Sequence, residues 1–377
     1  MPRKTVEKNI SYDSLRQVYY VCLDAGLDLS GKRCRCYRTA PSLRQARKLL
    51  RAFCDQKERG HPIRPTSQTL EQWLDYWLEE IIIPTRAATT AYGYRKIIDN
   101  HIVPAMGRIP VQRLSAQDIQ KYYSMLLREK GLSPNTIRRH HDLLAAALHA
   151  AVRQDVLFSC PVDRVDPPRK DPVEAHFYDA DELRRLFDLT KGTPLEITVR
   201  LAGTLGLRRE EICGLKWKQV DFGQRLIHIR QARTSAGADI IEKEPKNHSS
   251  ARTLYMGTDI YLLLMREKWK QETRARDLGP KWPDTDLVVV DSRGVPPSPN
   301  SLSLAFSRFI KCNGLPPLTL HGLRHSFATV ASQQGASLFD IGKALGHSTP
   351  STTGKIYTHL TDRTHTSTLS RVAKAIR

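Results

Sequence analysis

Six polar residues fall in fixed order in the second half of the 377-residue chain: Arg208, Lys246, His321, Arg324, His347 and Tyr357. Arginine and lysine are cations, imidazoles can become cations, and the last group is a phenol. Such a set suits a reaction on a phosphodiester. Cations and donors neutralise charge that builds on phosphorus, and the phenol oxygen can attack it. No cluster of acidic residues accompanies them, as a nuclease that holds divalent ions would require. The expectation is chemistry with no cofactor and no metal.

Each residue taken singly also has an ordinary reading. Arg208 ends the turn Gly206-Leu207-Arg208, and Glu211 follows three residues later. That spacing lets Glu211 support the guanidinium at a fixed angle. Arg209 is the rival, but on a helix it points about one hundred degrees away. Lys246 lies in the polar stretch EPKNHSSAR, with Lys243 as the neighbouring alternative. His321 and Arg324, in HGLRH, share a helix face, with Leu323 and Phe327 facing the core and His325 off that face. His347 follows Leu345-Gly346 at a helix end, where it would also serve as a cap. Tyr357, in KIYTH, would also suit a core.

The elements that must position these residues fall into three segments divided by proline-rich joints. One joint is GHPIRP, residues 60–65, and the other runs from Pro161 through Pro172. Such stretches read as extended linkers. Residues 1–65 form a small α+β unit. Gln17 to Leu23 and Lys32 to Arg38 read as strands around a turn at Gly26 to Gly31, and Ser42 caps a helix carrying Leu43, Ala46, Leu50 and Phe53. Strand alternation puts Arg33, Arg35 and Tyr37 on one face, suited to a DNA groove, and Cys34 and Cys36 on the other.

Residues 66–165 read as all-helical. Leu70, Trp73, Leu74, Trp77 and Ile81 make an apolar stripe that Pro84 stops, and Tyr94, Ile97, Ile98 and Ile102 make a second that ends at Pro104. Ser115 with Asp118 starts a third helix, and Ser133-Pro134 starts a fourth. Trp73 and Trp77 are core residues on this reading, whereas Lys121, Arg138 and Arg139 are the candidates for phosphate contacts. Residues 174–377 read as mixed α+β, mainly helical. Asp179 caps a first helix there, and strands near 226–230 and 252–256 flank a polar loop. Everything after about Ser301 is helical in short pieces.

Bulk composition agrees with a polyanionic partner. The chain has 59 Lys and Arg against 39 Asp and Glu, a net charge of +20. The first 65 residues alone hold 15 basic against 6 acidic side chains. Double-stranded DNA is the default candidate for such an excess. No apolar run approaches the roughly 20 residues of a membrane span. The start, MPRKTVEKNI, carries no apolar signal core, and the seven cysteines are scattered. A reduced, cytoplasmic protein without a structural metal is expected.

Taken together, the Arg208 turn, Lys246, the HGLRH box, the LGH box and Tyr357 resemble the tyrosine recombinases, and the whole chain resembles the phage and conjugative-transposon integrases. The resemblance implies an arm-type DNA-binding domain (1–65), a helical core-type DNA-binding domain (66–165) and a catalytic domain with a tail helix (174–377). It implies that Tyr357 is the nucleophile and that the product of its attack is a 3′-phosphotyrosyl ester. Arg208, Arg324, His321 and His347 would stabilise the phosphorane, and Lys246 would protonate the leaving 5′-oxygen. A homotetramer on DNA attachment sites is implied, with an excisionase or DNA-bending protein as possible accessory. Two alternatives are an inactive DNA-binding regulator on the same scaffold and a type IB topoisomerase-like nicking–closing enzyme.

Overall fold

The computed structural model describes residues 4–27, 33–58, 66–172, 176–243 and 251–346. The chain divides into two compact units, residues 1–172 and 173–377. Among the described residues no helix is long and apolar enough to cross a membrane.

The first unit opens with a sheet of four antiparallel strands in sequence order: β1 (Lys4–Glu7), β2 (Ile10–Asp13), β3 (Val18–Leu27) and β4 (Arg33–Ala40). The two long strands are those the sequence shows. The two short ones precede them, because Asn9 and Gln17 accept positive φ and turn the chain back within a few residues. Helix α1 (Leu43–Glu58) lies against β3 and β4. It contributes Ala46, with Leu43, Leu50 and Phe53 behind it, to a core completed by Ile10, Val21, Leu23 and Ala40. Arg47 on α1 is paired with Glu7 on β1. Strand register places Tyr37 opposite Cys22 and Arg35 opposite Asp24, on the face turned away from that core.

The helical part of the first unit begins with α2 (Leu70–Tyr76), capped by Thr69. The helix does not stop at Pro84. It widens into a π-helical segment at Trp77–Ile82 and closes with α3 (Ile83–Thr85). The same device recurs after α4 (Ala88–Ile97): a π segment at Ile98–Ile102, then α5 (Val103–Met106) containing Pro104. A proline ring conflicts with the carbonyl four residues back and has no N–H for it. Just before each proline the ladder shifts to a five-residue bond, from Ile83 N–H to Leu78 O and from Val103 N–H to Ile98 O. The shift moves that carbonyl aside, and the helix passes through. Helices α6 (Ala116–Arg128) and α7 (Pro134–Arg153) follow, with N-caps Ser115 and Ser133 as their sequences require. Trp73 and Trp77 are buried in the shared core, and the Trp73 indole donates to Ala147 O at 3.0 Å. Val162 and Val165 from the second proline-rich joint also pack there, so its first half belongs to the helical body.

In the second unit, α8 (Ala180–Thr190), capped by Asp179, packs on α9 (Glu196–Leu205). The short α10 (Arg209–Gly214) follows. Strands β5 (Val220–Asp221) and β6 (Leu226–Ile229) come next, and β6 pairs with β9 (Arg252–Tyr255) to make a three-stranded antiparallel sheet. The connection expected as a plain loop contains a second hairpin, β7 (Ala232–Ala236) and β8 (Asp239–Lys243), turning at Gly237. Helices α11 (Thr258–Leu278), α12 (Pro299–Cys312), α13 (Leu320–Gln333) and α14 (Leu338–Leu345) follow among the described residues. α13 packs along α9, with Leu323 of α13 and Val199, Leu201 and Ala202 of α9 fully buried.

Candidate active site

Two glycines set the geometry. Gly206 ends α9 and Gly346 ends α14, both in the left-handed region, at φ 63° and 67°. At Gly206 a side chain is excluded twice over, by that φ and by Leu345 and Phe327, whose carbons lie 2.6 and 2.7 Å from where a Cβ would sit. The end of α9 is thereby held against α13 and α14, and the chain turns sharply into Arg208.

Arg208 precedes the first turn of α10 with extended backbone. Its N–H donates to Glu211 Oε2 at 2.9 Å and its Nη1 to Glu211 Oε1 at 2.7 Å. Glu211 thus supports the guanidinium as the three-residue spacing suggests. Arg209 points elsewhere, to Ser303 Oγ at 3.0 Å. Arg324, on α13, is 2% exposed and donates to Gly206 O at 2.7 Å and Leu345 O at 2.6 Å.

A third arginine joins them that sequence reasoning missed. Arg252, the first residue of β9, donates Nη1 and Nη2 to the two Glu211 oxygens at 3.0 and 2.9 Å, and Nε to Ala344 O at 2.6 Å. The Glu211 carboxylate therefore lies between two guanidinium groups and accepts from both. Three consecutive carbonyls at the end of α14 are each held by a different arginine: Ala344 by Arg252, Leu345 by Arg324, and Gly346 by Arg208 at 3.2 Å. These carbonyls have no partner within the helix, and the helix dipole makes that end attractive to cations. A signal for Arg252 was present: it shares its strand face with Leu254, which packs on the core, and an arginine on such a face requires a buried acid.

The carboxyl of Glu211 is pulled both ways. Burial raises its pKa, but the hydrogen bonds and charges of Arg252 and Arg208 outweigh burial and hold it below its ordinary value. Two guanidinium groups share this one carboxylate, and Arg324 is held by carbonyls at the same helix end, so the cluster keeps a positive excess. His321, one turn before Arg324, is exposed at the surface, yet desolvation, then the charge of Arg324, lowers its pKa. His325 is closer than the sequence suggests. The four-residue spacing brings its ring edge-on to His321, 4.7 Å between centroids, and desolvation followed by His321 pushes its pKa down to about 4. Both imidazoles border a cavity of about 690 Å³ between Leu315, Leu318 and Gly322.

Lys246, His347 and Tyr357 lie outside the described residues, although position 347 follows directly on the arginine-held end of α14. Lys243 ends β8. Of the other sequence candidates, Arg35 and Tyr37 are exposed, Arg35 lying 3.8 Å from Asp24, and the side chain of Arg33 is outside the described residues. Lys121 and Arg139 are exposed on α6 and α7. Arg138 is half-buried and spends a donor on Pro168 O at 2.9 Å, which ties the second joint to α7.

A unit that fixes several guanidinium groups around one helix end, with imidazoles alongside, is suited to holding a phosphate. Comparison with known proteins gives the class. Residues 176–364 match the phage integrase family, and residues 69–127 match the SAM-like N-terminal domain of phage integrases. The chain belongs to the phage integrase family: it is a tyrosine-type site-specific recombinase, an enzyme of DNA strand transfer.

Among its relatives, a XerC-like tyrosine recombinase of Caldanaerobacter subterraneus subsp. tengcongensis is 23% identical, covering 92% of this chain and 93% of the relative. The ICEBs1 integrase of Bacillus subtilis is 26% identical, covering 91% and 93%. The fold is that of the Tn1549 transposon integrase in complex with transposon right end DNA, with TM-score 0.67 and 22% identity, covering 81% of this chain and 99% of that one. It is also that of a lambda integrase tetramer bound to a Holliday junction, with TM-score 0.57 and 19% identity, covering 94% and 96%.

Proposed function

We propose that the chain integrates and excises a mobile DNA element through a 3′-phosphotyrosyl intermediate, with Tyr357 as nucleophile. The Tyr357 oxygen attacks the scissile phosphorus, and the new P–O bond forms as the bond to O5′ breaks. His321, whose pKa is lowered by desolvation and then by Arg324, takes the phenol proton. Lys246 gives a proton to the departing O5′. Arg208, Arg324 and His347 hold the non-bridging oxygens while negative charge builds on them. A 5′-hydroxyl from a second strand then attacks the phosphotyrosine and releases Tyr357. One ester replaces another at each step, so the reaction is balanced without an external energy source.

On this reading residues 1–65 bind arm-type sites through Arg33, Arg35 and Tyr37, and the helical domain straddles the core site through Lys121, Arg138 and Arg139. Four protomers assemble on two DNA sites in the cytoplasm of a bacterial host, with an excisionase or a DNA-bending protein setting direction. The observation that carries the proposal is the meeting of Arg208 and Arg324 at the end of α14, one residue before His347.

The test is covalent capture. Nicked duplexes tiled across the DNA that flanks the gene, incubated with the full chain, are expected to yield a protein–DNA adduct on a denaturing gel. Tyr357→Phe should abolish it. No adduct from any duplex, or an adduct that persists in Tyr357→Phe, overturns the assignment.

A further inference from the structure

We propose that Arg252 is a positioning residue for strand cleavage: its guanidinium holds Glu211 and the end of α14 together, so that Arg208 is presented to the phosphate at a fixed angle. The inference rests on the cleavage reaction proposed above and goes beyond it by adding a residue that does not touch the DNA.

Arg252 is the shared element of two contacts. Through two parallel N–H bonds it grips both oxygens of Glu211, and the same two oxygens carry both bonds from Arg208. Through Nε it holds Ala344 O, two residues before the carbonyl that Arg208 holds. The side chains of Arg252 and Glu211 are 6% and 3% exposed, so water cannot substitute for either contact.

The charges make the role more than structural. With Arg252 present, Glu211 is shared between two cations, and Arg208 keeps a net positive field for the phosphate. Without it, Glu211 has Arg208 alone, and the two cancel. The planar fork also matters, because a lysine supplies the charge from a single nitrogen that cannot bridge both oxygens in the same way.

The experiment compares the parent, Arg252→Met and Arg252→Lys as full chains on the nicked duplex that gives the parent its adduct. In Arg252→Met the rate of adduct formation is expected to fall by about thirtyfold or more, and DNA affinity to stay within about threefold. Arg252→Lys, with the charge but not the fork, is expected to regain at least about fivefold of that loss. Thermal melting is measured for each chain.

Adduct rates within about threefold of the parent in a folded Arg252→Met overturn the inference, as does an equal loss in rate and in affinity. If Arg252→Met does not fold, Arg252→Lys decides. Cleavage at the parent rate refutes the requirement for a fork, and a reduced rate at unchanged affinity supports it. Loss of the Tyr357-dependent adduct in the parent itself would instead refute the function on which the inference rests.

Discussion

Replacing Arg324 by alanine should loosen α14 before it does anything to DNA binding. The side chain is buried, and two of its donors join the end of α9 to the end of α14 through Gly206 O and Leu345 O. Bonds from a charged donor contribute about 1.5–3 kcal/mol each. Two of them, less the cost of keeping a guanidinium away from water, leave a loss of about 3–4 kcal/mol. Alanine also leaves both carbonyls facing a void. Arg324→Lys retains the charge and at most one of the contacts, so about half the loss is expected.

Hydrogen–deuterium exchange on the full chain separates this local effect from the rest of the molecule. About 3 kcal/mol corresponds to roughly a hundredfold faster exchange for amides whose opening breaks these bonds. The acceleration should be confined to peptides from α9, α13 and α14. Peptides from α6 and α7, in the other compact unit, should exchange as in the parent. Unchanged protection of α14 in Arg324→Ala would show that packing of Ile341 and Leu345, not the guanidinium, secures that helix. The reasoning about carbonyl anchoring would then fail.

Arg208→Ala should reduce adduct formation more than about a hundredfold with DNA affinity within about tenfold, measured by gel capture and by titration of labelled duplex. Comparable losses in both would make Arg208 a docking contact. The chain carries +20, so DNA binding should weaken steeply with salt, with a log–log slope of magnitude about five or more from several neutralised phosphates. A flat slope in a salt titration would contradict the charge argument.

The helical domain should lose stability in acid through His140, which is 1% exposed and pairs its Nδ1 with the Tyr122 hydroxyl at 2.7 Å. Burial, then His101, pushes its pKa from 6.5 down to about 4. Between those values the unfolded chain binds the extra proton, so this contribution is complete above pH 6.5. It falls away by about 3 kcal/mol as the pH drops towards 4. Urea unfolding at pH 7 and pH 4.5 should show this limb in the parent and a flatter one in His140→Gln.

What the sequence reveals and what it conceals divide along a physical line. Local signals were legible. The caps Ser115, Ser133 and Asp179 stand at the starts of their helices, and Trp73 and Trp77 fall on a stripe that is buried. The Arg208–Glu211 pair lies within one helical turn and could be read from spacing alone. Proline was misleading at positions 84 and 104, because apolar periodicity says nothing of a π turn, whose changed hydrogen-bond partner is what admits the ring.

Strands β1 and β2 have only four residues each, too few to show an alternation. The β7–β8 hairpin is half-polar on both strands and reads as loop. Arg252 was the largest omission at the site. Its carboxylate partner is 41 residues away, and only the fold brings the two together. His325 was misplaced for a different reason: the three-residue spacing of His321 and Arg324 drew attention from the equally valid four-residue spacing of His321 and His325.

The arginine cluster also explains how a cationic site can exist before DNA arrives. Guanidinium groups brought together in a partly buried site would repel one another and lose hydration. Here each is given an oxygen that cannot leave: Glu211 for Arg208 and Arg252, and the carbonyls of residues 206, 344, 345 and 346 for all three arginines. Their desolvation is met during folding, by the fold's own acceptors, instead of at the moment of reaction. Arg208 spends only one proton of each terminal nitrogen on the described acceptors, and its side chain remains 28% exposed, so it can still donate outward. The helix end fixes where that remaining donor points. The same helix end that Arg252, Arg324 and Arg208 secure is the last described turn before position 347 in the sequence, so one set of contacts fixes both the Arg208 side chain and the end of α14.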